Sequence, residues 1–254
     1  MKSNRVGIID WGIGGMSVYH ALRASGNHAD VTYLSDSGNT PYGKQDRTRL
    51  RNRFAEIAEF YLAHGVDHVL VACNSASSAL SGVEEVILEV RFASIIPAGV
   101  RAIAASNHSR IGVIGSDLTI SSKVYENQLR IPGKTFVFVS AQPLSALVER
   151  GELSGATVER EIKTVLDRLG TIDSLLLACT HYPALGPAIS EQSPALELLD
   201  PGSFMVEKLP RGGDGKLLFF TTGSGELSRR AAAGGFGVEL GEVHELGLDL
   251  RPKN

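Results

Sequence analysis

Two stretches of this chain end in the same way. His68 to Ala76, HVLVACNSA, and Asp173 to Pro183, DSLLLACTHYP, are each a short unbroken apolar run closed by a cysteine and then by small polar residues. Continuous apolar runs of this length suit strands buried on both faces of a parallel sheet. The Ser and Asn residues after the first run, and Pro183 after the second, suit the first turn of a helix. Each cysteine therefore falls at the carboxyl end of a strand beside a helix N-terminus, where open α/β sheets bind ligands. Cys73 and Cys179 are the only cysteines in the chain.

The similarity extends beyond the cysteines. RVGIID at Arg5 and RIGVIG at Arg110 lie 105 residues apart, the cysteines 106, and Pro97 of SIIPAG and Pro201 of ELLDPG 104. Three anchors at nearly one offset predict an internal duplication: two similar halves, each a small doubly wound parallel sheet of the α/β class. The expected division is residues 1–97, completed by 208–254, and residues 98–207. Two such halves facing each other place Cys73 and Cys179 across one cleft, where pockets commonly form.

Within the first half, strands are expected at Arg5–Ile9, Val31–Leu34 and Phe92–Ile96, the last ending at Pro97. Helices are expected over Met16–Leu22 and Asp46–His64 and from Ala76 onward. The glycines of Gly12-Ile13-Gly14-Gly15 lack the spacing of a dinucleotide fingerprint and the Lys-Ser/Thr of a phosphate loop, so they read as a tight strand-to-helix turn. Ser35 to Gly43, SDSGNTPYG, is a run of turn-formers of the kind that carries function at strand ends. Near the C-terminus, Lys216–Thr221 reads as a strand and Glu226–Ala232 as a helix. The glycine-rich tail from Gly234 has no role assigned by its sequence.

Composition narrows the function. An apolar share of 43%, a charged share of 21% and a net charge of −3 describe an ordinary globular chain and give no support to a nucleic-acid surface. The basic residues between Lys44 and Arg53 read as one solvated helix face. No run is long enough to span a membrane and the N-terminus does not resemble a signal peptide, so a cytoplasmic protein with free thiols is expected. The oligomeric state stays open, a homodimer included.

Four fates compete for two such cysteines. A disulfide conflicts with the expected compartment. Zinc lacks ligands, since His181 is the only histidine beside either cysteine and no CxxC is present; no metal is expected. Inert buried thiols are common in cores. Against inertness stands the repeated setting, because a helix N-terminus lowers a thiol pKa and favours the thiolate. Two activated thiols on facing walls suit removal of a proton from carbon by one and delivery to the opposite face by the other. That chemistry is racemisation or epimerisation with no cofactor.

At this point the motifs carry a resemblance. VGIIDWGIGGMSV at Val6, SDSGNTPYG at Ser35, VACNSAS at Val71, IGVIGSDLTI at Ile111 and LLACTHYPAL at Leu176 are similar to those of glutamate racemases, in the aspartate/glutamate racemase superfamily. The resemblance implies two flavodoxin-like domains with the active site between them and cofactor-independent interconversion of L- and D-glutamate. It also implies a bacterial role, supplying D-glutamate for peptidoglycan. By position it makes Cys73 and Cys179 the acid/base pair, Asp10 the carboxylate beside the first and His181 the histidine beside the second, with Glu149 assisting. Read from its own surroundings, Glu149 fits a solvated helix residue equally well. Implied substrate contacts are Asp10, Trp11, Tyr42, Gly43, Asn74, Ser75, Thr180 and His181; Tyr42 reads equally as a packing tyrosine.

The chain also departs from that pattern. Trp11 stands where the family usually has serine, Asn39 where arginine is common, and Ser75 where threonine is common. An indole in place of a small hydroxyl removes a hydrogen-bond acceptor and adds bulk, so the pocket is expected to be smaller or differently shaped. Aspartate is therefore an alternative substrate. A non-catalytic binding protein on this scaffold and a single-thiol relative such as a decarboxylase are the competing readings.

Overall fold

The structure, a computed structural model, describes residues 5–207, 209 and 212–253; the expected junction at residue 208 lies outside them. The chain begins β1 (Arg5–Asp10), α1 (Met16–Ala24), β2 (Asp30–Ser35), α2 (Arg47–Ala63), β3 (His68–Val71) and a single helical turn α3 (Asn74–Ser77). A hairpin follows, β4 (Glu84–Ile87) and β5 (Val90–Ser94), and then α4 (Ile96–Ala105). The second unit runs β6 (Arg110–Gly115), α5 (Asp117–Ser121), β7 (Thr135–Ser140), α6 (Gln142–Glu149), α7 (Ala156–Leu169), β8 (Ser174–Ala178), α8 (Gly186–Gln192), β9 (Glu197–Leu199) and α9 (Pro201–Val206). The chain closes with β10 (Leu217–Thr221), α10 (Gly225–Phe236) and β11 (Val243–Glu245).

Among the described residues these strands form two sheets, ordered β11-β10-β2-β1-β3-β5-β4 and β7-β6-β8-β9. All pairings are parallel except β4 with β5. The inner order β2-β1-β3-β5 repeats as β7-β6-β8-β9, and the three anchors land on equivalent elements. β1 matches β6, the cysteines follow β3 and β8, and Pro97 and Pro201 sit in the first turns of α4 and α9. Two similar α/β sheets therefore stand where the spacing puts them. The tail without an assigned role is sheet: β10 pairs with β2, and β11 with β10.

One core joins the sheets. Val6 and Ile8 of β1 pack with Leu22 of α1 and Ile103 of α4, and the same cluster takes in Ile111 and Val113 of β6 and Leu176 of β8. Alternate residues of each strand point the other way. Ile9 and Val69 meet Phe54, Ile57 and Tyr61 of α2, whereas Ile114 and Leu177 meet Val148 of α6 and Ile162 of α7. The result is five layers, with helices shared between two sheets whose strand ends open on a common cleft.

Three local expectations differ from the structure. The helix after Cys73 lasts one turn because its serines bond away from it: Ser77 Oγ donates to Val71 O at 3.0 Å and accepts Ile95 N–H at 3.2 Å. The chain then leaves for the β4–β5 hairpin, which no motif announced. The strand expected to reach Ile96 stops at Ser94, and α4 takes Ile96 and Pro97, since proline is well suited to a first helical turn. The basic stretch Lys44–Arg53 is only partly a solvated face. Arg53 turns inward to the fully buried Asp36 with bonds of 3.0 and 2.8 Å, and Arg51 pairs with Glu85.

Candidate active site

Cys73 lies two residues beyond β3 and Cys179 one residue beyond β8, and both line a single cavity of about 30 Å³. The two cysteines are free thiols. Asp10, Trp11, Tyr42, Gly43, Asn74, Ser75, Thr180 and His181 line the same cavity. Glu149 does not; it stands behind His181, bonded to the ring at 2.5 Å.

The Cys73 wall is carboxylate-rich. Asp10, at the end of β1, is fully buried; its oxygens accept Trp11 N–H at 2.8 Å and the Thr180 hydroxyl at 2.6 Å. Burial raises its carboxyl pKa, although the nearby His181 charge and these donors work against the rise. The expected lowering of the Cys73 pKa by its helix N-terminus is overturned. Ala76 N–H does favour the thiolate, but burial and the Asp10 charge outweigh it and push the thiol well above its ordinary range. A one-turn helix carries too small a dipole to win that contest. Cys73 therefore rests as a thiol hydrogen-bonded to a carboxylate.

The Cys179 wall is imidazole-rich. His181 Nδ1 lies 3.7 Å from the Cys179 sulfur, and its Nε2 faces Glu149 Oε1, which also accepts Ile13 N–H at 2.8 Å. Burial disfavours the imidazolium, but Cys179 and Glu149 together overcome it and hold the His181 pKa well above the usual histidine range. Burial likewise opposes charge on Glu149, and its bond to His181 and the Ile13 amide reverse that, leaving its carboxyl below the usual range. Glu149 is thus a half-buried partner of His181 that also reaches the loop after β1, not a solvated helix residue.

The glycine loop after β1 makes this contact feasible. None of Gly12, Gly14 and Gly15 has a positive φ. A Cβ on Gly12 would strike the Glu149 carboxylate, and one on Gly14 would lie within 2.6 Å of Thr180 Oγ1 and His181 Nδ1. Close approach between the two sheets, not turn geometry, is what requires glycine there.

The two departures at residues 11 and 39 meet each other. Trp11 Nε1 donates to Asn39 O at 2.9 Å, and Asn39 Nδ2 to Asp36 Oδ1 at 2.9 Å. Asp36 in turn accepts the Tyr42 hydroxyl at 2.5 Å and the Thr222 hydroxyl at 3.1 Å. The SDSGNTPYG loop is therefore wired through one buried carboxylate, which places Tyr42 on the cleft with its hydroxyl turned away. The indole lies 6.2 Å from the His181 ring, centre to centre, and fills space beside Asp10.

Several lining residues escaped the sequence. Ser116, the N-cap of α5, and Gln142 and Ser145 of α6 come from the second unit. Ser116 is the repeat counterpart of Trp11 at the 105-residue offset, a signal the duplication contained; Gln142 and Ser145 carry none. Ser116 Oγ bonds Ser75 Oγ at 2.6 Å and Thr119 Oγ1 at 2.9 Å, a buried hydroxyl cluster joining the two units. Among the described residues no group of three or more His, Cys, Asp or Glu side chains is placed to hold a metal ion, and no helix is long and apolar enough to cross a membrane.

Residues 8–209 match the Asp/Glu/hydantoin racemase family. The chain belongs to that family. Its relatives include a glutamate racemase of Beutenbergia cavernae, 38% identical over 201 residues that cover 75% of this chain and 68% of the relative. Among solved structures, a glutamate racemase isoform of Bacillus anthracis superposes with a TM-score of 0.84 at 26% identity, covering 99% of this chain and 100% of the other. The Thermus thermophilus glutamate racemase in complex with β-chloro-D-alanine gives 0.83 at 27% identity, covering 98% of each. Membership makes this chain an amino-acid racemase, in keeping with the expectation drawn from its motifs.

Proposed function

We propose that the enzyme inverts glutamate between its L and D forms without a cofactor, using Cys73 and Cys179 as opposed acid and base. The observation that carries this reading is that two free thiols, delivered by equivalent strands of two different sheets, line one small cavity, each backed by its own proton-handling partner. In one direction Cys179 takes the Cα proton, the released electron pair delocalises into the substrate's α-carboxylate, and the Cys73 thiol returns a proton to the other face. In the reverse direction the roles exchange. Asp10 relays a proton to or from Cys73, and His181, held by Glu149, does so for Cys179. Donors at the helix starts, Asn74, Ser75 and Thr180 among them, hold the substrate carboxylates. Supply of D-glutamate for peptidoglycan in the cytoplasm is the role that fits this activity. For the chain itself, the pairing of β10 with β2, and of β11 with β10, supports a first domain of residues 1–97 with 208–254 and a second of 98–207.

Aspartate is the second reading, favoured by the bulk of Trp11 in the cleft. The test is incubation with each L-amino acid in D2O, following loss of the Cα proton by NMR together with optical inversion. Exchange and inversion of glutamate support the proposal, and inversion of aspartate alone moves it to the second substrate. Absence of both returns the protein to a binding role, and activity surviving Cys179→Ala to a single-thiol reaction.

A further inference from the structure

Asn74 holds a buried amide of which only one end is satisfied. Its Oδ1 accepts the Tyr125 hydroxyl at 2.7 Å, whereas its Nδ2, equally enclosed, has no hydrogen-bond partner in the protein. Asn74 is 2% exposed and lines the cavity beside Cys73. An unpaired buried donor is costly unless something outside the protein meets it, and an amino acid brings carboxylate oxygens that can. An asparagine presents a donor or an acceptor to the same point in space depending on a half-turn of its amide. Presenting the acceptor to a carboxylate would repel it.

We propose that Tyr125 is a positioning residue that fixes the Asn74 amide with its N–H toward the substrate carboxylate. Tyr125 is itself 2% exposed and burial keeps its phenol protonated, so its hydrogen must find an acceptor, and Asn74 Oδ1 is the one it uses. Its ring is wedged against α4, where a Cβ on Gly99 would collide with the hydroxyl. Tyr125 follows α5 in the second unit and Asn74 opens α3 in the first. The donor is therefore set correctly only while the two units are apposed, which couples carboxylate recognition to closure of the cleft.

This inference rests on the racemase reading but is separable from it. Tyr125→Phe is expected to raise KM five- to tenfold, roughly the factor one net hydrogen bond carries, with a smaller change in kcat. In an Asn74→Ala background the same change should leave KM where Asn74→Ala put it. Gly99→Ala, which displaces the ring without touching the cavity, should reproduce the KM effect and serves if Tyr125→Phe fails to fold. In ¹⁵N-labelled protein the Asn74 side-chain amide signals should shift in Tyr125→Phe, a readout independent of turnover. An active wild type with unchanged KM in both single variants, additive effects in the double variant, or unmoved amide signals would each overturn the assignment. A wild type inert toward glutamate and aspartate fails the functional reading, and the amide signals then decide this one.

Discussion

Replacing Glu149 with glutamine separates charge from shape in the Cys179 wall. The amide is nearly isosteric and can still accept from Ile13 N–H, so the loop after β1 should keep its place. What disappears is the negative end of the bond to His181. A hydrogen bond to a charged group is worth about 1.5–3 kcal/mol and a neutral one about 0.5–1.5 kcal/mol, a difference of roughly 1–1.5 kcal/mol in support of the imidazolium. That is about one pH unit in the titration of His181 and about tenfold in any step that needs its proton. Racemisation followed by circular dichroism, starting from each enantiomer across pH, should show kcat/KM falling about tenfold and the alkaline limb moving to lower pH by about one unit. Because enantiomers in water are equal in free energy, the fall in kcat/KM must be the same from either side, and only kcat and KM separately can become unequal. An unchanged profile, or a fall of equal size at every pH, would refute the relay and reduce Glu149 to a scaffold for Ile13.

The same variant tests stability. Glu149 has a folded pKa below its ordinary 4.5, so its contribution is present above that value and lost as pH falls through the lowered one; His181, raised above 6.5, contributes below 6.5 and is lost as pH climbs through its raised value. The gap in Tm between wild type and Glu149→Gln should accordingly be widest between these limits and narrow on both sides. Asp36→Asn removes the buried charge facing Arg53, which keeps Glu56 as a partner, and should cost about 1.5–3 kcal/mol in urea unfolding, with Tyr42 and Asn39 loosened as well. Trp11→Ser removes the indole and its bond to Asn39, and should lower KM for glutamate more than for aspartate in steady-state assays; an equal effect on both would dismiss Trp11 as a determinant of length. Phe92→Ala empties a fully buried site that Phe54 packs against edge-on and should lower stability by about 3–5 kcal/mol, read by the same unfolding curves.

Much of this architecture was legible because buried parallel strands declare themselves as unbroken apolar runs and because the chain states its plan twice. The strands before both cysteines, the helix capped by Asp46 and the match of Pro97 to Pro201 all followed from residue types at fixed spacing. What stayed hidden was set by contacts distant in the chain. The hairpin after Cys73 is bracketed by the Ser77 hydroxyl, which bonds Val71 at the end of β3 and Ile95 just past β5, a link that no local periodicity records. The need for glycine at residues 12 and 14 comes from side chains more than a hundred residues away. The Cys73 environment was misjudged because a helix start is visible in sequence, whereas the depth of burial and the closeness of Asp10 are not. Gln142, Ser145 and Tyr125 reach or support the cleft from a helix and a loop whose residues look like any others.

The unlikeness of the two walls leaves a mark on the free enzyme. With carboxylate and thiol on one side and imidazole and thiol on the other, the proposed passage from L to D would end with the hydrogens distributed differently from how they began. On the proposed two-thiol mechanism, the empty protein would exist in two forms, each ready for one hand of substrate only, and would have to trade protons with water to return. At high substrate that resetting, which involves no bond to carbon, would then become the slow part of the cycle.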